Sequence, residues 1–331
     1  MISFREIADK IRRKISPTLA DEFTNQMLDF VVSRKFRGLE YFEPRDPGYH
    51  VSGIPKICAI KVVLRKFHEL MTGTKLEFDE VEFRDDEIQP DEAHPSIEFQ
   101  YEIGTAIHEA YQNKIFGPAG MLLGYWYCAS CQELLGPFQM PVKCPLCDAH
   151  WREHITYRET KISLDIHGIT FLGNVDGVWP SRLLDTEAVV EFKSLSSSRY
   201  KTLTKPEFTH VIQVHPYMKA LDMRYAVIVY VDRGQPCDWS FTNGLKATGL
   251  RQKVFVVEFN DELWERQEGV IKEYVEALEY VSSLTKESIS SDEAIDEVLG
   301  KAFDYTPVCD VKSCVVAQNC PVSKICFAGC E

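Results

Sequence analysis

Two hydrophobic periods divide the chain between them. Apolar residues fall at helical spacing in "FREIADKIRRKI" and "LADEFTNQMLDFVVSRKF", which predicts amphipathic helices over about the first 45 residues. After the turn-rich "DPGYHVSGI", the stretch "PKICAIKVVLRKFHELMTG" resumes that spacing and ends at Gly73, a suitable C-cap. Residues 96–114, "SIEFQYEIGTAIHEAYQNK", read as a further helix. Beyond residue 152 the period shortens to two. "TYRETKISLDI" and "ITFLGNVDGVW" flank "HG", a hairpin turn, and "AVVEFKSL", "YAVIVYVD" and "KVFVVEF" are further strands. A helical "THVIQVHPYMKALDM" separates the first two of these, and "DELWERQEGVIKEYVEALEYVSSLT" is a long helix.

This alternation predicts an α/β fold, a central mixed β-sheet flanked by helices. Three regions are expected: a helical N-terminal region with an acidic arm over 1–95, a core over 96–285, and a linker with a cysteine-rich tail over 286–331. A cysteine-bearing insert, 125–152, interrupts the core. The acidic stretch 77–98 is expected to be a solvated loop or an interaction arm, and no internal repeat is visible.

With 45% hydrophobic and 26% charged residues, the composition is that of an ordinary soluble protein. No apolar run approaches the ~20 residues of a membrane span. The start, "MISFREIADKIRRKI", lacks the apolar core of a signal peptide, so a cytoplasmic, membrane-free protein is expected, in host cytoplasm if phage-encoded. The net charge of −13 opposes attraction of nucleic acid to the whole surface. A local basic groove stays open, because Lys and Arg cluster apart from the acid in "DKIRRKI", "SRKFR" and "SSSRYKTLTK".

One strand does not fit its surroundings. In "AVVEFKSL" (188–195) side chains alternate, so Val190, Phe192 and Ser194 share one face and Val189, Glu191, Lys193 and Leu195 the other. A carboxylate and an ammonium on an apolar strand are costly unless something is bound there. Upstream, "GTAIHEAYQ" places His108 on a helix, and "GNVDGVW" places Asp176 at a strand end. Each feature has an ordinary explanation by itself: a solvated edge strand, a structural histidine, a turn. Together they are the parts of a divalent-metal hydrolytic site. Carboxylates suit Mg²⁺ or Mn²⁺ and an imidazole can join them. Such a metal polarises a phosphoryl oxygen, and Lys193 adds positive charge beside the attacking water.

The order His, Asp, Glu-x-Lys resembles the PD-(D/E)xK nuclease superfamily, in particular its RecB-like branch, which includes AddB-like and CRISPR-adaptation-type iron–sulfur exonucleases. "QVHPY" adds Gln213 and Tyr217, matching the branch's Gln-x-x-x-Tyr motif. The resemblance spans roughly residues 100–232 and implies a restriction-endonuclease-like core. It further implies that His108, Asp176, Glu191 and the Phe192 carbonyl hold Mg²⁺ or Mn²⁺, that Lys193 is the catalytic lysine, and that Gln213 and Tyr217 orient DNA or the lysine. Pro216 departs from a helical motif; it predicts a helix that starts near Gln213 or is kinked.

Eleven cysteines in a cytosolic chain point to metal ligands rather than disulfides. "CASC" and "CPLC" place Cys128, Cys131, Cys144 and Cys147 as a C-x₂-C-x₁₂-C-x₂-C pattern suited to tetrahedral Zn²⁺, with His150 and His154 as substitutes. The tail holds Cys309, Cys314, Cys320, Cys326 and Cys330. In iron–sulfur members of the resembled branch, one cysteine precedes the core and three follow it around a [4Fe–4S] cluster. That implies Cys58, Cys314, Cys320 and Cys326 here, with Cys309 and Cys330 in reserve. A second zinc site within the tail and a disulfide-prone tail stay open. Cys237 is expected to be unligated.

The function expected is a metal-dependent deoxyribonuclease, an exonuclease on single-stranded DNA or DNA ends in recombination, repair or phage DNA metabolism. Without a Walker motif, any unwinding falls to a separate helicase or recombination protein. The alternatives are a structure-specific endonuclease on the same core and a non-catalytic, zinc-dependent DNA-binding or scaffold protein.

Overall fold

The computed structural model describes residues 48–74, 95–181, 186–234 and 252–305. The stretches expected as N-terminal helices, most of the expected acidic arm, Cys237 and the cysteine-rich tail lie outside these residues. The chain divides into two compact units, residues 1–46 with 86–106 and residues 47–85 with 107–331. The described part of the first unit is helical, residues 95–106. Among the described residues, the second unit contains every strand and the remaining helices.

Helix α1 (Ala59–Thr72) ends as expected at Gly73, whose φ of 70° is left-handed and whose N–H donates to the Glu69 carbonyl. It begins later than its apolar pattern, because Pro55 belongs to a 3₁₀ turn over Val51–Lys56. Helix α2 (Pro95–Ala110) carries His108 in its last turn and passes into a π-helical turn, Tyr111–Phe116.

A seven-stranded sheet forms the centre. Its strands are β2 (Leu123–Cys128), β3 (Glu133–Gln139), β4 (Ile155–Arg158), β7 (Gly177–Ser181), β8 (Thr186–Leu195), β9 (Tyr225–Asp232) and β10 (Gln252–Glu258). The order is β10-β9-β8-β7-β2-β3, with β4 also paired to β2. β8 and β9 are parallel and the other pairs antiparallel, so the sheet is mixed as predicted. The parallel pair needs a crossover. It is supplied by a short helix after β8 and by "THVIQVHPYMKA".

The hairpin around His167-Gly168 is present, with Ile166 opposite Ile169 and both turn residues at positive φ. Its strands, β5 (Thr160–Ile166) and β6 (Ile169–Val175), form a separate three-stranded sheet with β1 (Tyr49–His50). Each of the two long strands read from sequence is therefore split: "TYRETKISLDI" at Glu159 and "ITFLGNVDGVW" at Asp176. At both breaks the chain changes sheet. The second break brings Gly177 so close to Leu122 that an added Cβ would lie 2.6 Å from its side chain.

Helices α3 (Trp151–His154), α4 (Ser197–Thr202), α5 (Phe208–Ala220), α6 (Asp261–Ser283) and α7 (Asp292–Phe303) complete the described residues. Helix α5 runs unbroken through Pro216 rather than starting near Gln213. The carbonyl that Pro216 cannot serve, that of Ile212, accepts instead from Gln267 Nε2 of α6 at 2.9 Å. A side chain from a neighbouring helix thus replaces the missing N–H. Helix α7 lies in the stretch expected as linker. Ser291 caps it by accepting from the Ala294 N–H, and Val298 and Ala302 are buried in the core.

Two apolar clusters lie on the two faces of the sheet. Val189 and Leu195 of β8 join Ile60, Val63, Met218 and Ile271 on one face. Ala188, Val190 and Phe192 join Tyr111, Leu122 and Trp126 on the other. The alternation read in "AVVEFKSL" is realised, and Glu191 and Lys193 emerge on the face of Val189 and Leu195. Among the described residues no helix is long and apolar enough to cross a membrane.

Candidate active site

β8 runs on past the end of its neighbour. Gly177, the first residue of β7, pairs with Val190, so the Phe192 N–H has no β7 residue opposite it. Asp176 fills the gap, its Oδ2 accepting from the Phe192 N–H at 2.7 Å. The sheet switch at Asp176 therefore places a buried carboxylate beside the middle of β8. Its other oxygen, Oδ1, faces His108 Nδ1 at 3.6 Å.

Glu191 is 3% exposed. Its Oε1 accepts from Lys193 Nζ at 2.6 Å and from Gln213 Nε2 at 2.9 Å. Its Oε2 is buried and makes no hydrogen bond. Tyr217, one turn beyond Gln213 on α5, is buried and hydrogen-bonds the Gln213 side chain. Tyr217, Gln213, Glu191 and Lys193 thus form one chain of contacts. Phe192 points to the opposite face, fully buried, with its ring stacked on Phe116 and beside Tyr111 and His108. That anchorage fixes the backbone of β8 between the two polar residues.

Burial and charge compete at each ionisable group. For Glu191 burial dominates, Asp176 adds to it, Lys193 opposes, and the carboxyl is pushed up to about 7. Burial would also raise Asp176, but His108 outweighs it, helped by Lys193 and the Phe192 N–H, so this carboxyl is lowered. Burial works against charge on His108, yet Asp176 beside it wins and the imidazole is raised.

Two further residues belong here that motif reading did not single out. Glu159 lies at the break between β4 and β5, and its carboxylate, the His108 ring and Asp176 offer ligand atoms all within 4.8 Å of one another. Gln112, 4% exposed, donates from one amide nitrogen to the Asp176 carbonyl at 2.9 Å and to Glu159 Oε1 at 3.3 Å. Its signal was the i, i+4 spacing from His108 on one helix. Glu159 had none, because a carboxylate in a strand-like run reads as solvent-facing.

The insert brings its four cysteines together. β2 ends at Cys128, and Gln132 and Asp148, both at positive φ, turn the chain after each C-x₂-C pair. Cys128 Sγ lies 3.6 Å from Cys147 Sγ and Cys131 Sγ 3.7 Å from Cys144 Sγ, with all four within 4.8 Å. A tetrahedron with ~2.3 Å metal–sulfur bonds has edges of ~3.8 Å, so the arrangement is near-tetrahedral. Burial opposes ionisation of Cys128, but the N–H groups of Cys131 and Ser130 bring its thiol down to about 7. Burial, with the neighbouring thiols, pushes Cys131 up to about 12. His150 and His154 stand outside this cluster. Cys58 is half-buried at the N-cap of α1 and forms no disulfide; Cys314, Cys320 and Cys326 lie outside the described residues.

No family model and no curated protein matches the sequence. Among solved structures, an alkaline exonuclease, LHK-Exo, from Laribacter hongkongensis is 13% identical with a TM-score of 0.39, over 73% of this chain and 93% of that one. A phage-related exonuclease from Haemophilus somnus is 14% identical with a TM-score of 0.38, over 73% and 95%. The protein SSO0001 is 12% identical with a TM-score of 0.36, over 82% and 95%. Likeness at this level carries no activity across to this chain.

Proposed function

We propose that the protein is a divalent-cation-dependent deoxyribonuclease, an exonuclease acting on single strands or DNA ends. The observation that carries this is the pairing of buried Glu191 with half-buried Lys193 beside Asp176 and His108, in which Glu191 Oε2 is sealed from water without a partner. An unpaired buried carboxylate oxygen is costly. A hard cation removes that cost, and oxygen donors with one imidazole suit Mg²⁺ or Mn²⁺. Asp176, Glu191, His108 and the Phe192 carbonyl would hold it. The order of these motifs, with Gln213 and Tyr217 following, supports the RecB-like reading.

When bound, the cation supplies a polarised phosphoryl oxygen and an acidified water. Lys193 Nζ, held by Glu191, adds positive charge where the pentavalent oxyanion develops. Gln213 fixes the Glu191 rotamer, and Tyr217 fixes Gln213. The water oxygen bonds phosphorus as the ester P–O bond breaks; one proton leaves the water and one reaches the leaving oxygen. A cleft lined by Arg199, Thr204, Lys205, Glu207 and Phe208 offers a strand the Lys205 ammonium and an exposed aromatic face, with Arg199 held by Glu207. It adjoins the site through His210, whose imidazole is pushed down to about 3 by burial, then by Lys193 and Arg199.

The cysteine tetrahedron is read as a structural Zn²⁺ site bracing the insert, and Cys58 with Cys314, Cys320 and Cys326 as ligands of a [4Fe–4S] cluster. Lys193→Ala and Asp176→Ala proteins that keep the wild-type circular dichroism spectrum are expected to lose at least ~10²-fold of Mn²⁺-dependent cleavage of labelled DNA. Undiminished cleavage by both variants would refute the assignment.

A further inference from the structure

Val178 of β7 pairs with both Val189 of β8 and Leu123 of β2, so these three side chains share one face of the seven-stranded sheet. Alternation along β8 puts Glu191 and Lys193 on that face, and alternation along β2 puts Tyr125 and Tyr127 there too. The other face of β2 carries Trp126 and Cys128, which belong to the cluster that holds Phe192. Tyr125 and Tyr127 are half-buried, and Leu134, opposite Tyr127 on β3, is 58% exposed. Among the described residues these three side chains join neither apolar cluster. Arg158 of β4 is exposed beside them, its guanidinium 5.0 Å from the Tyr127 ring centre. No described carboxylate pairs with it.

This face leads to the candidate site. β3 lines one edge of β2 along its length, so β7 and β4 share the other. β7 holds that edge at Leu123, and β4 takes over at Tyr125, which pairs with Arg158. Counting two residues from the Leu123–Val178 pair, Tyr125 is level with the end of β7, where Asp176 turns away. Arg158 thus stands in the row that Asp176 leaves. The next residue, Glu159, brings its carboxylate within 4.8 Å of Asp176.

We propose that the open face of the insert is a platform for single-stranded DNA: bases stack on Tyr125 and Tyr127, and Arg158 meets the adjoining phosphate. The strand's destination at Glu191 and Lys193 rests on the nuclease reading above; the platform itself does not. The two tyrosines are about 7 Å apart along β2, far enough for each ring to take a separate base. Every base has a stacking face, so such a surface holds a strand without reading its sequence. A duplex keeps those faces inside its own stack and cannot offer them. The four cysteines close the far end of this small sheet. β2 ends at Cys128, and the Ala129 N–H donates to the His154 carbonyl, just ahead of β4, at 2.7 Å. The thiol cluster thereby sets the spacing of the strands that carry Tyr127, Leu134 and Arg158.

The test is binding of a fluorescein-labelled oligothymidylate to the full-length protein, with metals acquired during expression left in place and no divalent cation added. Fluorescence anisotropy is expected to show binding at least ~10-fold weaker in Tyr125→Ala and Tyr127→Ala, with Tyr127→Phe close to wild type. Arg158→Ala is expected to reduce the slope of log affinity against log salt by ~0.7. Irradiation of wild type with an oligonucleotide carrying iodouracil is expected to crosslink peptides that contain Tyr125 or Tyr127. That reading stands even where an alanine variant fails to fold. Wild-type affinity in both tyrosine variants overturns the proposal and leaves the face to a protein partner. Crosslinks confined to other segments, or a duplex bound as tightly as the single strand, overturn it as well. Mn²⁺-dependent cleavage by the same wild-type sample separates the two claims. Cleavage with unimpaired binding by the tyrosine variants removes the platform alone; platform binding without cleavage removes the nuclease reading alone.

Discussion

At the scale of single residues, the decisive one is Glu191. Burial, then Asp176, raises its carboxyl from 4.5 in an unfolded chain to about 7 in the fold. The folded state therefore binds this proton more tightly than the unfolded state. The stabilisation it gives is complete below pH 4.5 and is lost as pH rises to about 7. His108, also raised, loses its contribution above its ordinary 6.5, and Asp176, lowered, matters only below 3.8. In chelator, the melting temperature is expected to fall across pH 4.5–7. A tenfold difference in proton affinity between the two states corresponds to ~1.4 kcal/mol, so the fall is several degrees for a chain of this size. Glu191→Gln flattens that slope, and Mn²⁺ restores wild-type stability near pH 7 by binding the folded state. A Glu191→Gln melting curve with the wild-type pH slope would show that another group titrates there. The facing of Glu191 and Lys193 was legible from strand alternation. The contact of Glu191 with Gln213 was not, since Gln213 reaches it from a different element.

At the scale of elements, α5 shows how packing overrides a local rule. Pro216 predicted a late start or a kink; the helix does not start late, since it begins at Phe208 and continues through Pro216. The cost of an interior proline lies largely in the carbonyl it leaves unpaired. Gln267 of α6 answers that carbonyl from another helix, and no local pattern announces it. Gln267→Leu keeps the volume and removes the donor. It is expected to cost ~1–2 kcal/mol in urea unfolding, reduced because Gln267 Oε1 itself has no partner to lose. Unchanged stability would mean that the Ile212 carbonyl is satisfied by another route. Helix α7 is the opposite case: its apolar positions and Ser cap were present in the sequence but hidden in an acidic run, and burial of Val298 and Ala302 reveals them.

At the scale of the whole molecule, the cysteines are expected to decide which metals the purified protein carries. The near-tetrahedral thiols predict one zinc by elemental analysis, lost in Cys144→Ser together with part of the thermal stability. A zinc-free protein with an unaltered melting temperature would exclude a structural metal in the insert. Anaerobic purification tests the tail in the same sample. Brown protein with about four irons supports the cluster, and colourless protein with two zincs supports its rival.

What the sequence determined by itself is whatever depends on neighbours along the chain. The helical and strand periods, the hairpin at His167-Gly168, the Gly73 cap, the four-cysteine spacing and the two faces of β8 are all of this kind, because backbone geometry fixes which nearby residues share a side. Tertiary structure alone decided the rest. It split two strands where the chain changes sheets, drew Glu159 beside Asp176, set Gln112 between them, and supplied Gln267 to a carbonyl left open by proline. Each of these joins groups from separate elements, and their approach is set by how two sheets and their helices pack, which no local period records.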